Sequence, residues 1–436
     1  MNRVSCDVCG CTHKASFFTS ASNFRAAIAA TALGAAAILC GCAARESVAQ
    51  AEPPKSFPRE QLANGQELAH IGNCLSCHTA EGGKPYAGGT PLKTPFGTIH
   101  GTNITPDSET GIGGWSLEAF SRAMREGVDR EGRHLFPAFP YDHFTKLTDE
   151  DVAALYAFIM TREPVRQENR RNTVPVPRPA VGIWKSRYFQ PGRFQPDPAR
   201  SAEWNRGAYL VEGLAHCGAC HTPRNKLGAE EKDRAFAGGE VEGWHAPAFD
   251  ASSPSPVPWT VDAMQAYLKH GIAELHAISA GPMVEVVHGL SQVSDAAVRA
   301  IAVYTVSLDK RGDDERQRAR NAALERARAA AAVQGHKVYD GACADCHNRG
   351  RAQEGGALEL PLGTALTIPT PRNLAYIIRD GIIPREGERG GWMPGYAGAL
   401  TDEQLTDLLV YLRALSGQPA WSDVAGEVRK LSKEQR

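Results

Sequence analysis

The chain has 436 residues, of which 42% are hydrophobic, and its 48 basic and 49 acidic residues give a net charge of -1. This length predicts about three domains, each with enough apolar residues to form a core. Because the charges balance, the composition gives no support to nucleic-acid binding, which favours a basic surface.

The first 51 residues differ from the rest and are predicted to be a leader segment. A weakly apolar stretch at 26–41 has the length of a secretory signal and is too short for a comfortable membrane span. Two processing sites stay open. Residues 49–51, Ala-Gln-Ala, fit signal peptidase, whereas residues 39–42, Leu-Cys-Gly-Cys, resemble a bacterial lipobox that would leave a lipid anchor on Cys42. Both predict export to the periplasmic side of a bacterial cytoplasmic membrane.

The pentapeptide Cys-x-x-Cys-His occurs three times and is the signature of covalent haem c attachment. Its two thiols can bond the two vinyl groups of one porphyrin while the next imidazole binds iron. One copy could be a redox dithiol or half of a zinc site, but copies 143 and 126 residues apart indicate repeated haem domains. We predict three haems c, bound by Cys74, Cys77 and His78, by Cys217, Cys220 and His221, and by Cys343, Cys346 and His347.

Three glycines that each end a mid-domain helix align the repeats: Gly127, Gly271 and Gly381. Twelve residues after them stand Phe139, Met283 and Met393. A thioether is a soft sixth ligand for haem iron, so we predict Met283 and Met393 as metal ligands of the second and third haems. The alternative is that both methionines fill gaps in a core.

The first haem needs a different sixth ligand, because the phenyl ring of Phe139 has no lone pair for iron. His143, four residues further along the same loop, is the predicted metal ligand. His134 and an open, five-coordinate iron are the alternatives. An open iron is what haem catalysis requires, so a peroxidase-like enzyme stays an alternative to pure electron transfer.

The repeats also share helices on both sides of the haem motif. The closing helix of each has a predicted Ser or Thr N-cap, at Thr148, Ser294 and Thr401. An aromatic residue in each closing helix is expected to pack against the helix before the motif, pairing Phe158, Tyr304 and Tyr411 with the neighbourhoods of Gly65, Gly207 and Gly335. Such helix pairs around a haem predict an all-α protein of three tandem class I cytochrome c domains, with long loops that wrap the haems.

The domain boundaries follow from changes in composition. The predicted segments are a leader at 1–51, cytochrome c domains at 57–163, 199–309 and 333–417, an extended Pro/Arg-rich connector lying on the domains at 164–198, a solvated charged helical linker at 310–332, and a tail at 418–436. The tail spaces its apolar residues helically, so it docks on the third domain or touches a partner or membrane surface.

The order of the motifs resembles that of the triheme cytochrome c subunits of membrane-associated bacterial dehydrogenases. The resemblance covers nearly the whole mature chain and rests on the haem motifs with Asn103-Ile-Thr-Pro-Asp107, Gly111-Ile-Gly-Gly-Trp115, Cys220-His221-Thr-Pro-Arg224, Gly281-Pro-Met283 and Pro371-Arg-Asn373. It implies a subunit without substrate chemistry of its own. Such a subunit takes electrons from a dehydrogenase catalytic subunit and passes them to ubiquinone or a terminal oxidase.

One departure from that family points to a branch of it. Alcohol dehydrogenase cytochromes usually read Tyr-Pro-Ala-Met-Pro-Tyr where this chain has Phe136-Pro-Ala-Phe139-Pro-Tyr141. The continuation Tyr141-Asp-His143-Phe looks more like cytochromes paired with molybdenum hydroxylases such as nicotinate or isoquinoline dehydrogenases. The resemblance therefore favours a molybdopterin partner over a quinoprotein or flavoprotein alcohol dehydrogenase.

Overall fold

The computed structural model describes residues 56–330, 336–347, 358–385 and 391–434. The predicted leader with both of its processing sites, and Gly335, lie outside the described residues. Within them, no helix combines the length and the apolar character needed to cross a bilayer.

Helices dominate all three motif-bearing regions, at 57–163, 199–309 and 333–417. The first region contains α1 (Arg59–Ile71), α2 (Cys74–His78), α3 (Leu117–Glu126), α4 (Tyr141–Phe144) and α5 (Asp149–Met160). The connector contributes α6 (Arg178–Tyr188). The second region contains α7 (Ala202–Tyr209), which runs into a π-helical turn (Leu210–Leu214), then α8 (Gly218–His221), α9 (Val261–His270), α10 (Met283–Ser291) and α11 (Asp295–Ser307).

The linker and the third region are also mainly helical. They contain α12 (Asp313–Ala330), α13 (Lys337–Ala342), α14 (Ala344–His347), α15 (Arg372–Asp380), α16 (Asp402–Leu415) and α17 (Val424–Glu434). Single 3-10 turns lie at Lys232–Arg234, Leu360–Leu362 and Thr364–Leu366.

The all-α prediction is confirmed for the helical cores of the regions, and several of the long loops fold into short antiparallel hairpins. They pair β1 (Pro91–Thr94) with β2 (Gly97–His100), β3 (Gly239–Val241) with β4 (Trp244–Ala246), and β5 (Ile272–Ala273) with β6 (Ala277–Ile278). In the first of them, Pro91 lies opposite His100 and Thr94 opposite Gly97. Each hairpin is an isolated ribbon that shapes a loop, so the core of every region is still made of helices.

The predicted pairing of first and closing helices is confirmed in the first two regions. A Cβ atom on Gly65 of α1 would lie 2.0 Å from the carbonyl oxygen of Ala154 in α5 and 2.8 Å from Phe158. A Cβ atom on Gly207 of α7 would meet α11 at the same distances, against Ala300 and Tyr304. Only glycine permits this approach of two helix backbones.

The third region repeats the arrangement with aromatic contacts. The ring of Tyr411 in α16 lies 5.2 Å from that of Tyr339 in α13 and stacks on His336 at 4.7 Å. The predicted N-caps are also confirmed, since Thr148, Ser294 and Thr401 each accept a hydrogen bond from the backbone three residues later. Each cap satisfies an otherwise unpaired amide of the first helical turn.

The two junctions between regions differ in kind. The first and second regions share one apolar core, in which Leu147, Leu155, Leu210 and Leu214 are fully buried. We call this contact between the first and second regions the first junction. The second junction, between the second and third regions, has a small separate cluster of Val257, Ala323, Ala327 and Leu362.

Three segments outside the regions behave partly as predicted. The connector does lie on the first region, but it is not extended throughout, because α6 buries Val181 and Lys185. The linker helix is not wholly solvated, since Ala323 and Ala327, one turn apart, are buried in the second junction. The tail docks on the third region, where Val424, Val428 and Leu431 join its core.

Candidate haem-binding site

Each Cys-x-x-Cys-His motif forms a short helix soon after the first helix of its region. The motif helices are α2, α8 and α14, and each ends on the predicted iron-binding histidine. None of the six motif cysteines forms a disulfide. A helical turn places the two thiols of a motif on one side, so each pair is available to one ligand.

The three histidines are held in one tautomer by the same kind of partner. Nδ1 of His78 lies 2.6 Å from the carbonyl oxygen of Thr102, and Nδ1 of His221 lies 2.7 Å from that of Pro247. Nδ1 of His347 lies 3.4 Å from the carbonyl oxygen of Leu358. A hydrogen bond donated by Nδ1 leaves the lone pair of Nε2 for a metal, which is the usual arrangement of a metal-binding histidine.

Burial keeps these imidazoles neutral, as iron binding requires. It lowers the pKa of His78 and His347, and it lowers the pKa of His221 to about 4. Burial also raises the pKa of the Cys74 and Cys217 thiols to about 12. Paired thiols beside an oriented neutral imidazole fit covalently bound haem c at each motif, and of these thiols only that of Cys346 belongs to an exposed residue.

The first two motifs pack on one apolar core, which Cys74 and Cys217 both contact. Burial raises the pKa of Cys220 to about 11, and the nearby groups that add to this rise include Glu242 and Cys77. Glu242 also raises the pKa of Cys77, after the larger effect of burial.

The structure places the predicted methionines at comparable but not identical sites. Gly127, Gly271 and Gly381 all have positive φ angles at a helix end, so the repeat alignment is sound. Met283 is half-buried at the start of α10 and packs on the core that Cys217 also contacts. Met393 is half-buried beside the core of the third region, as is Cys343, and pairs in a β-bridge with Ile382.

Phe139 occupies the corresponding place in the first region. Its ring is half-buried, 5.3 Å from that of Phe144, and packs on the same core as Cys74. An apolar ring therefore stands where the other two regions have a thioether.

His143 has partners other than the predicted iron. It is buried in the first junction, where Nδ1 lies 2.9 Å from the carbonyl oxygen of Glu212 and Nε2 lies 2.9 Å from Oε1 of Glu230. Both ring nitrogens are thus engaged with the second region, and neither is left for the first haem. The role of His143 as an iron ligand stays a prediction, and the contacts of its ring with Glu212 and Glu230 do not support it.

The charges around His143 form a compact group with Asp142, Glu230 and Arg224. Burial alone lowers the pKa of His143, but the hydrogen bond and charge of Glu230 outweigh it, so the pKa is raised. Burial raises the pKa of Asp142, whereas His143 and Arg224 hold that of Glu230 below its usual value despite burial. A ligand oxygen or nitrogen of Asp142, His143 and Glu230 lies within 4.8 Å of each of the others.

His134, the second candidate for the first haem, packs against the connector. Its Nδ1 lies 3.4 Å from Nζ of Lys185, and a Cβ atom on Gly182 would lie 2.7 Å from its Nε2. The helix α6 therefore covers this imidazole.

Sequence reasoning missed the groups that orient the motif histidines and the partner of His143. The former are backbone carbonyls of Thr102, Pro247 and Leu358, which any residue supplies. Glu230 is 87 residues from His143, and no periodic pattern connects them. Nothing in the sequence Thr-Pro-Arg224 after the second motif indicated that Arg224 forms an ion pair with the same glutamate.

Comparison with known protein families finds two matches. Residues 62–163 match the family model for cytochrome c. Residues 330–412 match the model for subunit III of cbb3-type cytochrome c oxidase. Together they cover the first and third motif-bearing regions.

Several curated proteins are similar over most of the chain. A nicotinate dehydrogenase subunit from Pseudomonas putida is 43% identical over 89% of this chain, which spans only 33% of that larger protein. The fructose dehydrogenase cytochrome subunit of Gluconobacter japonicus is 33% identical over 93% of this chain and 89% of its own length. The gluconate 2-dehydrogenase cytochrome c subunit of Pantoea cypripedii is 35% identical over 86% of this chain and 90% of its own length.

Proposed function

Because the chain belongs to the family of dehydrogenase cytochrome subunits, we propose that it carries three haems c and transfers electrons from a dehydrogenase catalytic subunit to the membrane respiratory chain. The acceptor is ubiquinone or a terminal oxidase. The three regions at 57–163, 199–309 and 333–417 are then three cytochrome c domains. As its relatives are named as cytochrome subunits, the peroxidase-like alternative is not retained.

One observation carries the proposal of three haems. At every motif, two thiols outside any disulfide accompany a histidine whose Nδ1 faces a backbone carbonyl. Bound haem c supplies reversible one-electron chemistry at its iron. The protein's part is to hold the thiols, to orient the imidazoles and to keep them neutral.

The sixth ligands proposed for the second and third haems are Met283 and Met393. Their support is the shared register after Gly271 and Gly381 and their half-buried positions against the same apolar cores that Cys217 and Cys343 contact. For the first haem we propose no methionine and no His143. Met283→Ala and Met393→Ala should each remove a methionine-to-iron charge-transfer band and lower the potential of one haem. Unchanged spectra in both variants would rule out this ligand set.

The proposed catalytic partner is a molybdopterin hydroxylase, with a quinoprotein or flavoprotein dehydrogenase as the alternative. The Tyr141-Asp-His143-Phe sequence supports it. So does the 43% identity to a nicotinate dehydrogenase subunit, against 33% and 35% for the fructose and gluconate dehydrogenase subunits. The proposed location is the periplasmic side of the membrane, which the predicted leader supports.

Haem content tests the first part of the proposal. The purified protein should retain haem stain after boiling in detergent, and a pyridine haemochrome assay should give three haems per chain. Cys217→Ser with Cys220→Ser should remove one haem and leave two. Two haems in the unaltered protein, or zinc in place of iron, would contradict the proposal.

Reduction by a dehydrogenase tests the second part. We expect dehydrogenase subunits to be encoded beside this gene, to co-purify with the protein and to reduce its haems when their substrate is added. Ascorbate reduction serves as the control for haem competence. If ascorbate reduces the haems and the neighbouring dehydrogenase does not, the proposed donor is wrong.

A further inference from the structure

Three segments that are distant in sequence build one exposed apolar surface, which we call the junction patch. It consists of Phe96 at the turn between β1 and β2, Ile183 and Trp184 in α6, and Leu227 in the loop after the second motif. The residues Phe96, Ile183 and Leu227 are 41%, 75% and 58% exposed. The indole nitrogen of Trp184 donates a hydrogen bond to the carbonyl oxygen of Leu227, at 2.9 Å.

The contacts that join the two regions are made by Phe96, Trp184 and the loop of Leu227, and Ile183, the residue before Trp184 in α6, is exposed at their side. A Cβ atom on Gly228 would lie 3.0 Å from the ring of Phe96, so the β1–β2 turn touches the loop that bears Leu227. The ring of Tyr188 lies 5.4 Å from that of Trp184 and extends the surface along α6. Single exposed apolar residues are common on proteins, but contiguous ones from three segments indicate an interaction site.

The same segments contact the first two haem motifs. Directly after β2, a Cβ atom on Gly101 would lie 1.7 Å from the carbonyl oxygen of Cys77. On the other side, the guanidinium of Arg224 donates hydrogen bonds to the carbonyl oxygens of Ala219 and Gly228, at 2.8 and 2.7 Å. One arginine side chain thus spans from the second motif to the patch.

The exposed charged residues next to Ile183 and Leu227 in the sequence are basic, and Arg224 at the edge of the patch is paired with Glu230. Residues 82–106, 169–196 and 213–229, which contain all of its members, include no aspartate or glutamate, although the chain as a whole has a net charge of -1. Arg187, one helical turn after Ile183, lies on the same face of α6 and is exposed, and so is Lys226 beside Leu227. Neither cation forms an ion pair with any described residue.

We propose that the junction patch docks the catalytic subunit of the dehydrogenase, through an apolar spot with an acidic rim on that subunit. This inference rests on the proposed function. A protein partner fits better than a lipid surface, because the patch adjoins two haem motifs and electron transfer requires the redox groups of two proteins to approach. A small centre of aromatic and aliphatic side chains with an arginine at its edge is typical of such interfaces.

Charge insertion into the patch tests the proposal. Ile183→Glu and Leu227→Glu are made in the full haem-loaded chain, which is expressed together with the dehydrogenase subunits encoded beside its gene. After addition of the dehydrogenase substrate, haem reduction in each variant should be slower by roughly tenfold or more, the effect of losing about 1.4 kcal/mol of docking free energy. High salt should slow reduction of the unaltered protein by the dehydrogenase, because salt screens the attraction between the cations beside the patch and the acidic rim of the partner.

Val410→Glu is the matched control, since Val410 is an exposed valine in α16 of the third region. The dehydrogenase should reduce the haems of this variant at the normal rate. Ascorbate should reduce all variants equally, which shows that they fold and hold haem. Normal dehydrogenase-driven reduction in both patch variants would overturn the docking site while leaving the proposed function intact.

Two other outcomes are also decisive. If ascorbate but not the dehydrogenase reduces the unaltered protein, the proposed function fails and the docking site fails with it. Sedimentation with vesicles of phosphatidylcholine and phosphatidylglycerol tests the lipid alternative. Loss of vesicle binding by the patch variants, together with normal reduction by the dehydrogenase, would assign the patch to a membrane surface and overturn the proposal.

Discussion

The first and second junctions join neighbouring regions by different physical means. At the first, the helices of both regions bury leucines in one core, and His143 and Glu230 form a buried ionic contact inside it. At the second, four apolar residues form a small cluster. Around it lie polar contacts, such as Thr364 with the carbonyl oxygen of His276 and Asn373 with the backbone of His245.

This difference bears on how the motifs are held. Continuous apolar burial is the strongest contribution to domain association, and the second junction has much less of it than the first. The first two motifs should therefore behave as one cooperative unit, with the third region attached more loosely to it. For an electron carrier, the two motifs on the shared core are then the pair with the most rigid relative position.

Core truncation should separate the junctions most clearly. Leu147 is fully buried in the first junction, so Leu147→Ala should lower the free energy of unfolding by about 3 kcal/mol. Hydrogen exchange should show faster opening in the first and second regions together. Leu362→Ala, at a buried leucine of the second junction, is the control and should speed exchange mainly in the third region. Opening of the first region alone in Leu147→Ala would break the comparison.

Removal of the buried ionic contact should have the next largest effect. His143→Ala leaves Glu230 with Arg224 as a remaining partner, at 3.4 Å, so we expect a loss of about 2 kcal/mol, below the usual cost of an unpaired buried charge. Urea unfolding of the haem-loaded protein measures it. A double-mutant cycle with Glu230→Gln should give a coupling energy of about 1 kcal/mol. Additive effects would show that the contact does not join the regions.

The first junction should also weaken as pH rises. Burial lowers the pKa of His143, but the hydrogen bond and charge of Glu230 raise it by more than burial lowers it. The folded pKa therefore lies above the usual 6.5. The resulting stability is fully present below pH 6.5 and is lost as pH rises through the folded pKa. Amide protection factors in the first junction should decrease over that range, by less than they do in His143→Ala. The same pH dependence in His143→Gln would assign it to another group.

The smallest effect is expected from the surface ion pair of the second junction. Arg385 and Glu285 are each about two-fifths exposed. Arg385→Ala should change the free energy of unfolding by less than about 1 kcal/mol, because solvent screens the pair. The measured difference should shrink further in high salt. A loss comparable to that of His143→Ala would mean that the two junctions are more alike than their contacts suggest.

Local features of the fold were predictable wherever they depend on nearby residues. Thr148, Ser294 and Thr401 cap helices because their side chains reach backbone amides three residues on. Gly65 and Gly207 were identified from the repeat, and both prove to be points of close helix contact. The hairpins were missed, because strands of two to four residues leave no periodic signal.

At the candidate site, the covalent motifs were predictable and the environment of the first haem was not. The absence of a thioether at Phe139 was evident in the repeat alignment. The contacts of His143 were not predictable, since a histidine in a loop has the same local sequence whether it faces an iron or a glutamate. The choice was made by Glu212 and Glu230, which reach it from the second region.

By itself, the sequence determined the chemistry at each repeat: which thiols and imidazoles are adjacent, where a methionine follows, and which helices close a region. These depend on spacing within one region, which covalent geometry transmits directly. Only the tertiary structure decided how the regions meet, because packing of one region on another depends on surfaces whose residues are far apart in the chain. The shared core of the first junction, the turn of His143 towards Glu230, and the patch made by Phe96, Trp184 and Leu227 all arise from that packing.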